Sequence, residues 1–232
     1  MIYIKVVILV VLIAVLIVIC KKQQYVYEQY KNNSNKYLII LTTAVNNFNQ
    51  SENKYRQQLY TEQILKYLNN TKLHVYVVES TGYTFPDIKP NPRLHIYTFK
   101  LPKLGSSTLY EKQSLQYIIS KLHETNDINY KNATHIMKIT GRYYLDNLEY
   151  KLSKLKKSDM YLQKRHNKKI KFQNSEYYII RKDIYNKFLS GINTKLMEHH
   201  LYDMRKKHKF KYLDQFNNNI RRGGSKDLLN PL

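Results

Sequence analysis

Short apolar runs alternate with longer segments whose apolar residues recur at helical spacing, and this alternation constrains the fold more than any other feature. Tyr37–Leu41 is continuously apolar and ends in Thr42-Thr43, the pattern of a strand buried on both faces. Tyr60, Ile64, Tyr67 and Leu68 then predict a helix over residues 51–68 that packs on a sheet, with Asn49 and Glu52 spaced as a capping box. Leu73–Val78 and Leu94–Phe99 read as the next two strands. Between them lies a loop over residues 82–92 that holds Pro86, Pro90 and Pro92. Leu115, Ile118, Ile119 and Leu122 form a second helical stripe, which Ser106 or Ser107 can cap. The polar segment Asn126–Ala133 reads as a loop and Thr134–Thr140 as a fourth strand, after which Leu145, Leu148, Leu152 and Leu155 predict another helix.

Such alternation argues for right-handed crossovers and a mainly parallel sheet between helices, an α/β three-layer sandwich. The later half makes the sheet mixed. Asp159–Leu162 and Glu176–Ile180 read as strands flanking a lysine-rich hairpin or exposed loop at Lys164–Lys171. Arg181–Leu189 and Thr194–Lys207 read as helices, and Asn217–Leu232 as irregular.

Ahead of this domain, every residue from Val6 to Cys20 is apolar and Lys5 is the single charge before Lys21. About 20 apolar residues span a bilayer, and Lys5 can snorkel to the interface. No small-x-small cleavage site follows, so the segment reads as an uncleaved anchor. The expected organisation is an anchor over residues 1–21, a polar stem over 22–36 and one domain over 37–232, giving a single-pass membrane protein. Orientation stays open: Lys21 and Lys22 favour a cytoplasmic body, whereas sequons at Asn32, Asn49, Asn69 and Asn132 suit a lumenal one. Cys20 is the only cysteine, so the domain has neither a disulfide nor a cysteine-based metal site.

The chain holds 39 Lys+Arg against 17 Asp+Glu, a net charge of +22. That excess suits nucleic acid or an anionic membrane. The lysines, however, are spread along the chain rather than clustered with stacking aromatics, and Asn, Ile and Tyr are abundant too, as AT-rich codons produce. No nucleic-acid partner is therefore expected. The membrane is met through the N-terminal helix.

P-loop, GxGxxG, His-Glu-x-x-His and Gly-x-Ser-x-Gly motifs are all missing, as is Asp-x-Asp. The candidate site is His135–Leu145, a strand running into a glycine turn. Gly141 permits an unusual backbone or a close approach, and Lys138 and Arg142 place two cations at the strand's carboxyl end, where open α/β sheets bind ligands. Arg142 has two readings: it pins the turn by pairing with Asp146, or it grips a phosphate through its fork of donors. Arg222-Gly223-Gly224 is a second candidate phosphate clamp, and Glu79, at the end of the second strand, a candidate nucleotide contact.

Lys138-Ile139-Thr140-Gly141-Arg142-Tyr143 resembles the "KITGRY" signature of a group of small GT-A-fold nucleotide-sugar glycosyltransferases. Weaker matches follow in order: Thr42-Thr43, Glu111-Lys112, residues 176–182, residues 196–198 and the Arg-Gly-Gly-Ser at 222–225. The resemblance implies transfer of a sugar from a nucleotide-diphosphate donor to a glycan or glycoprotein acceptor. It places Thr42 and Thr43 near the nucleotide, and Lys138, Thr140, Gly141, Arg142 and Tyr143 along the donor sugar and diphosphate. It also puts a catalytic base near the start of a late helix, which selects Glu198, with Glu176 and Asp203 in reserve. Mn or Mg would ordinarily be held by Asp-x-Asp, which this chain lacks; metal use stays open, and the cations can supply the charge instead. On this reading Thr42, Glu79, Arg142 and Glu198 border one cleft. The rivals are a tethered basic module that binds anionic lipid or nucleic acid without catalysis, and a degenerate nucleotide-sugar binder.

Overall fold

A computed structural model describes residues 11–22, 24, 36–46, 50–102, 107–164, 172–192 and 196–213. Residues 11–22 form helix α1, and every one of its side chains is exposed. Residues 1–10 of the expected anchor lie outside the described residues, as does nearly all of the stem. Among the described residues, no helix is long and apolar enough to cross a membrane.

The domain is built from strands β1 (Tyr37–Thr43), β2 (Val75–Glu79), β3 (Leu94–Thr98), β4 (His135–Thr140), β5 (Met160–Gln163), β6 (Tyr177–Arg181) and β7 (Phe210–Leu213). Interleaved with them are α2 (Gln50–Asn70), α3 (Ser107–Glu124), α4 (Ile128–Asn132), α5 (Leu148–Ser153), α6 (Lys182–Ser190) and α7 (Met197–Met204). The strands form one sheet in the order β3-β2-β1-β4-β6-β5-β7. β6 alone among them is antiparallel to both neighbours, so the other six strands point their carboxyl ends to the same edge.

Period-two alternation along the strands feeds two cores. Ile39, Leu41, Val75, Val77, Met137 and Ile139 face Tyr60, Ile64 and Tyr67 of α2. Leu38, Ile40, Tyr76, Val78, Ile136 and Tyr178 face α3, α6 and α7 through Leu115, Ile118, Phe188 and Leu201. The expected three-layer α/β sandwich is therefore present, with a mixed sheet.

Three local readings need correction. The polar segment after α3 contains α4, whose amino end is capped by Asp127 accepting from Tyr130 N. The helix expected from Leu145 starts only at Leu148, because Asn147 takes a left-handed backbone (φ 51°) that interrupts it. β7 went unread as a strand: Phe210-Lys211-Tyr212-Leu213 is short, lysine-bearing and an edge strand, with nothing in its sequence to require burial on both faces.

Candidate functional site

The carboxyl edge of the sheet is assembled around the turn that follows β4. Gly141 N donates to Thr42 O at 2.8 Å, which ties the turn to β1. A Cβ at Gly141 would lie 2.5 Å from Thr43 Cγ2 and 3.0 Å from Thr42 O. Close approach of β1, rather than a positive φ, is what demands glycine here. Tyr143 N donates to Thr140 O at 3.0 Å, and the buried Tyr67 hydroxyl bridges Leu145 N and Tyr143 O at 3.0 and 3.2 Å. Burial pushes the Tyr67 pKa well up, so this phenol stays protonated and remains a donor.

Arg142 projects from this rigid turn. Its guanidinium lies over the Tyr143 ring, 5.3 Å from the centroid, with Tyr60 and Glu176 near it. Burial favours its neutral form, but Tyr143, Tyr60 and Glu176 outweigh that and hold its pKa above the ordinary value. Its Nε is buried and has no hydrogen-bond partner among the described residues. The pairing with Asp146 does not form: neither residue takes part in a salt bridge among those residues, and Asp146 Oδ1 is itself buried without a partner. Glu176 Oε2 is a third such orphan. Orphaned buried polar atoms are rare in native folds, and those of Arg142 and Glu176 lie near each other where β4 ends and β6 begins.

Lys138 corrects the expectation of a second cation facing the ligand. Its side chain is 1% exposed and points to the opposite face of the sheet from the α2 core. Its Nζ donates to Thr140 Oγ1 at 2.9 Å and Ser175 O at 2.7 Å, and forms an ion pair with the Glu111 carboxylate. An ammonium has three donors, so this one has none left for a diphosphate. Thr140 belongs to the same group, because its backbone N donates to Glu176 O at 2.7 Å and its hydroxyl receives Lys138.

Glu79 is likewise fully engaged. It is 0% exposed, and its Oε1 accepts from Val45 N (2.8 Å) and Thr81 Oγ1 (2.6 Å). Its Oε2 accepts from Thr81 N and Tyr83 N, both at 2.8 Å. A carboxylate offers about four acceptor sites, so Glu79 staples the loops after β1 and β2 together instead of reaching a nucleotide. Thr43 is buried too, its hydroxyl donating to Val78 O at 3.2 Å, while Thr42 is partly exposed.

Glu198 stands in the first turn of α7, partly buried, and accepts from Ser175 Oγ at 2.7 Å through Oε1. Its Oε2 makes no hydrogen bond among the described residues. The buried Tyr178 feels both Glu111 and Glu198: burial first, then Tyr185 and these carboxylates, drive its pKa well above the usual phenol value. Of the reserve carboxylates, Glu176 lies beside Arg142, whereas Asp203 is an exposed partner of Lys206 at 3.4 Å. Arg222, Gly223 and Gly224 lie outside the described residues.

All the remaining candidates thus reach one edge, but as two groups. Arg142, Tyr143 and Tyr60 sit toward α2; Lys138, Glu111, Ser175 and Glu198 sit toward α3 and α7. Sequence reading missed Tyr60, Tyr67 and Ser175 and gave Glu111 no role. One usable signal was a lysine inside the apolar Ile136–Ile139, which requires a counterion from elsewhere. The described residues hold no group of three or more His, Cys, Asp or Glu that fits a metal ion. The described residues at the end of β4 do not make a carboxylate cage.

No family model matches the chain, and no curated protein does. A solved structure from Desulfovibrio desulfuricans G20, classed as a nucleotide-diphospho-sugar transferase, does align, with TM-score 0.50 and 11% identity, over 77% of this chain and 79% of its own. The fold is GT-A-like. A glycosyltransferase involved in glycosylating the major capsid of PBCV-1 aligns more loosely, with TM-score 0.44 and 11% identity, over 76% of this chain and 81% of its own. On the GT-A-like sheet, Arg142 and Glu198 both flank the carboxyl ends of the central strands, where open α/β folds take ligands.

Proposed function

We propose that this chain is a membrane-anchored glycosyltransferase that moves a sugar from a nucleotide-diphosphate donor to a hydroxyl of a glycan or glycoprotein. The observation that carries the reading is Arg142: a guanidinium held on a rigid turn at the carboxyl edge of a GT-A-like sheet, with a buried Nε that no described residue satisfies. A diphosphate oxygen supplies the acceptor that Nε lacks, and Arg binds such oxygens through two parallel donors. The resemblance of residues 138–143 to a glycosyltransferase signature points the same way.

In this reaction the acceptor hydroxyl attacks the anomeric carbon while its bond to the diphosphate oxygen breaks. Glu198 takes the hydroxyl proton through its unbonded Oε2, with Ser175 orienting the other oxygen. Arg142 meets the negative charge that builds on the departing diphosphate, where the resemblance also implies donors from Arg222, Gly223 and Gly224. Lys138 and Glu79 act as supports, one beneath the Ser175 loop and one beneath the loops after β1 and β2.

The anchor rests on α1, whose Val11, Leu12, Ile13, Leu16, Ile17 and Val18 are exposed. The run Met1–Cys20, with Lys5 snorkelling to the interface, has about the 20 residues that a bilayer needs.

A thermal-shift screen of the full chain in detergent against UDP-, GDP- and CMP-sugars, with and without Mn²⁺, tests the reading. Stabilisation by one donor class, lost in Arg142→Ala, is the expected result. No shift with any donor sinks it.

A further inference from the structure

The sheet's amino edge, opposite the candidate site, carries a cationic face that the reaction does not use. Two loops form it. Residues 154–158 lead into β5 and residues 205–209 lead into β7, and parallel pairing of these strands sets the loops side by side. Ser158 Oγ donates to Lys209 O at 2.9 Å, and Asp159 N donates to the same carbonyl at 3.0 Å. Between them the loops present Lys154, Lys156, Lys157, Lys206, Lys207 and Lys209, all exposed. Lys156, Lys157, Lys207 and Lys209 make no ion pair among the described residues. The nearby carboxylates are already engaged, Asp159 by Arg181 and by Lys209 N, and Asp203 by Lys206. Among the described residues the charge of this face is therefore uncompensated.

The chain enters the domain at this same edge. Lys36 precedes β1, and its carbonyl accepts from Thr134 N and His135 N at the start of β4. An extended chain from residue 22 to Lys36 reaches at most about 50 Å, so an anchored domain stays close to the bilayer. A cationic edge on the tethered side of a domain is attracted to anionic headgroups within a Debye length, each lysine adding to the attraction.

We propose that the loops 154–158 and 205–209 form a docking face for an anionic lipid surface, which holds the carboxyl edge of the sheet turned away from the membrane. The stand-off is the length of the strands, about 20 Å for six residues. The proposal rests on the anchored reading for its geometry, but the charge pattern can be tested apart from it.

The test is acetylation footprinting of the full chain on phosphatidylcholine vesicles with and without about 30 mol% phosphatidylserine, read lysine by lysine by mass spectrometry. Lys156, Lys157, Lys207 and Lys209 should label about threefold more slowly or less on the anionic vesicles, and the protection should vanish in about 1 M salt. Lys100, just past the carboxyl end of β3, should label alike on both. Equal labelling of the four loop lysines on both vesicles overturns the proposal. So does protection produced by an RNA oligomer on neutral vesicles and not by phosphatidylserine. If carbonate washes the chain from both vesicles, the anchor is refuted. The docking face then stands or falls on low-salt co-sedimentation with phosphatidylserine vesicles, which should be lost when the four lysines are changed to Glu.

Discussion

Lys138 and Arg142 lie four residues apart at the end of one strand, yet the two faces of the sheet treat them oppositely. On the α3 side Lys138 is sealed in, with Glu111, Thr140 and Ser175 taking its whole donor capacity. On the α2 side Arg142 is fixed by the turn but keeps a buried Nε without an acceptor among the described residues. One cation completes the protein, and the other leaves a place for an anion. Position at a strand's end makes a residue a candidate; whether its bonding is already complete decides between support and site.

The largest break in that contrast comes at Lys138. Lys138→Met leaves the Glu111 carboxylate and Ser175 O without their partner and should cost about 3–5 kcal/mol in a denaturant titration. Adding Glu111→Leu should recover part of the loss, since an apolar pair of similar volume removes the stranded charge. A double variant as unstable as the single one would mean that Lys138 is not held by Glu111. Next is Gly141→Ala, where the new methyl meets Thr43 Cγ2 and Thr42 O and should destabilise by about 1–3 kcal/mol. Its donor affinity should fall as well, because the turn carries Arg142. An alanine variant as stable as the wild type would show that the approach of β1 is looser than described.

A smaller effect sharpens the comparison from the other end of the sheet. Burial lowers the pKa values of His74, His95 and His135 from the ordinary 6.5, so the folded chain keeps them neutral. The unfolded chain binds protons more readily below that value, so their contribution is whole above it and is lost as pH falls through the folded pKa values. The denaturant midpoint should therefore drop between about pH 7 and pH 5, and replacing His74 and His95 with Gln should flatten that slope. An unchanged slope in the double variant would remove the pair as the cause.

The architecture was largely legible because its signals are local. The runs Tyr37–Leu41, Leu94–Phe99 and Thr134–Thr140 became β1, β3 and β4 within two residues, and the stripe from Leu115 to Leu122 became the buried face of α3. The misses have local causes too: Asn147 turns left-handed, and β7 has only an edge's worth of apolar residues. The site was legible as a place and not as a set of roles. Lys138 meets Glu111 and Ser175 from elements far along the chain, and Glu79 meets backbone N–H groups that carry no sequence identity. The apolar neighbours of Lys138 show that it needs a counterion but not which one, and the N–H groups of Thr81 and Tyr83 that fill Glu79 have no side-chain signature.

The most direct test of Arg142 as the open anion contact is isothermal titration of the full chain with UDP and GDP, wild type beside Arg142→Ala. Because its guanidinium closes no salt bridge among the described residues, the alanine variant should lose less than about 1 kcal/mol of stability. Its affinity for the preferred diphosphate should nevertheless fall about tenfold or more, as loss of a charge-assisted bond predicts. A variant that binds as tightly as the wild type, or a wild type that binds neither nucleotide, would contradict the account.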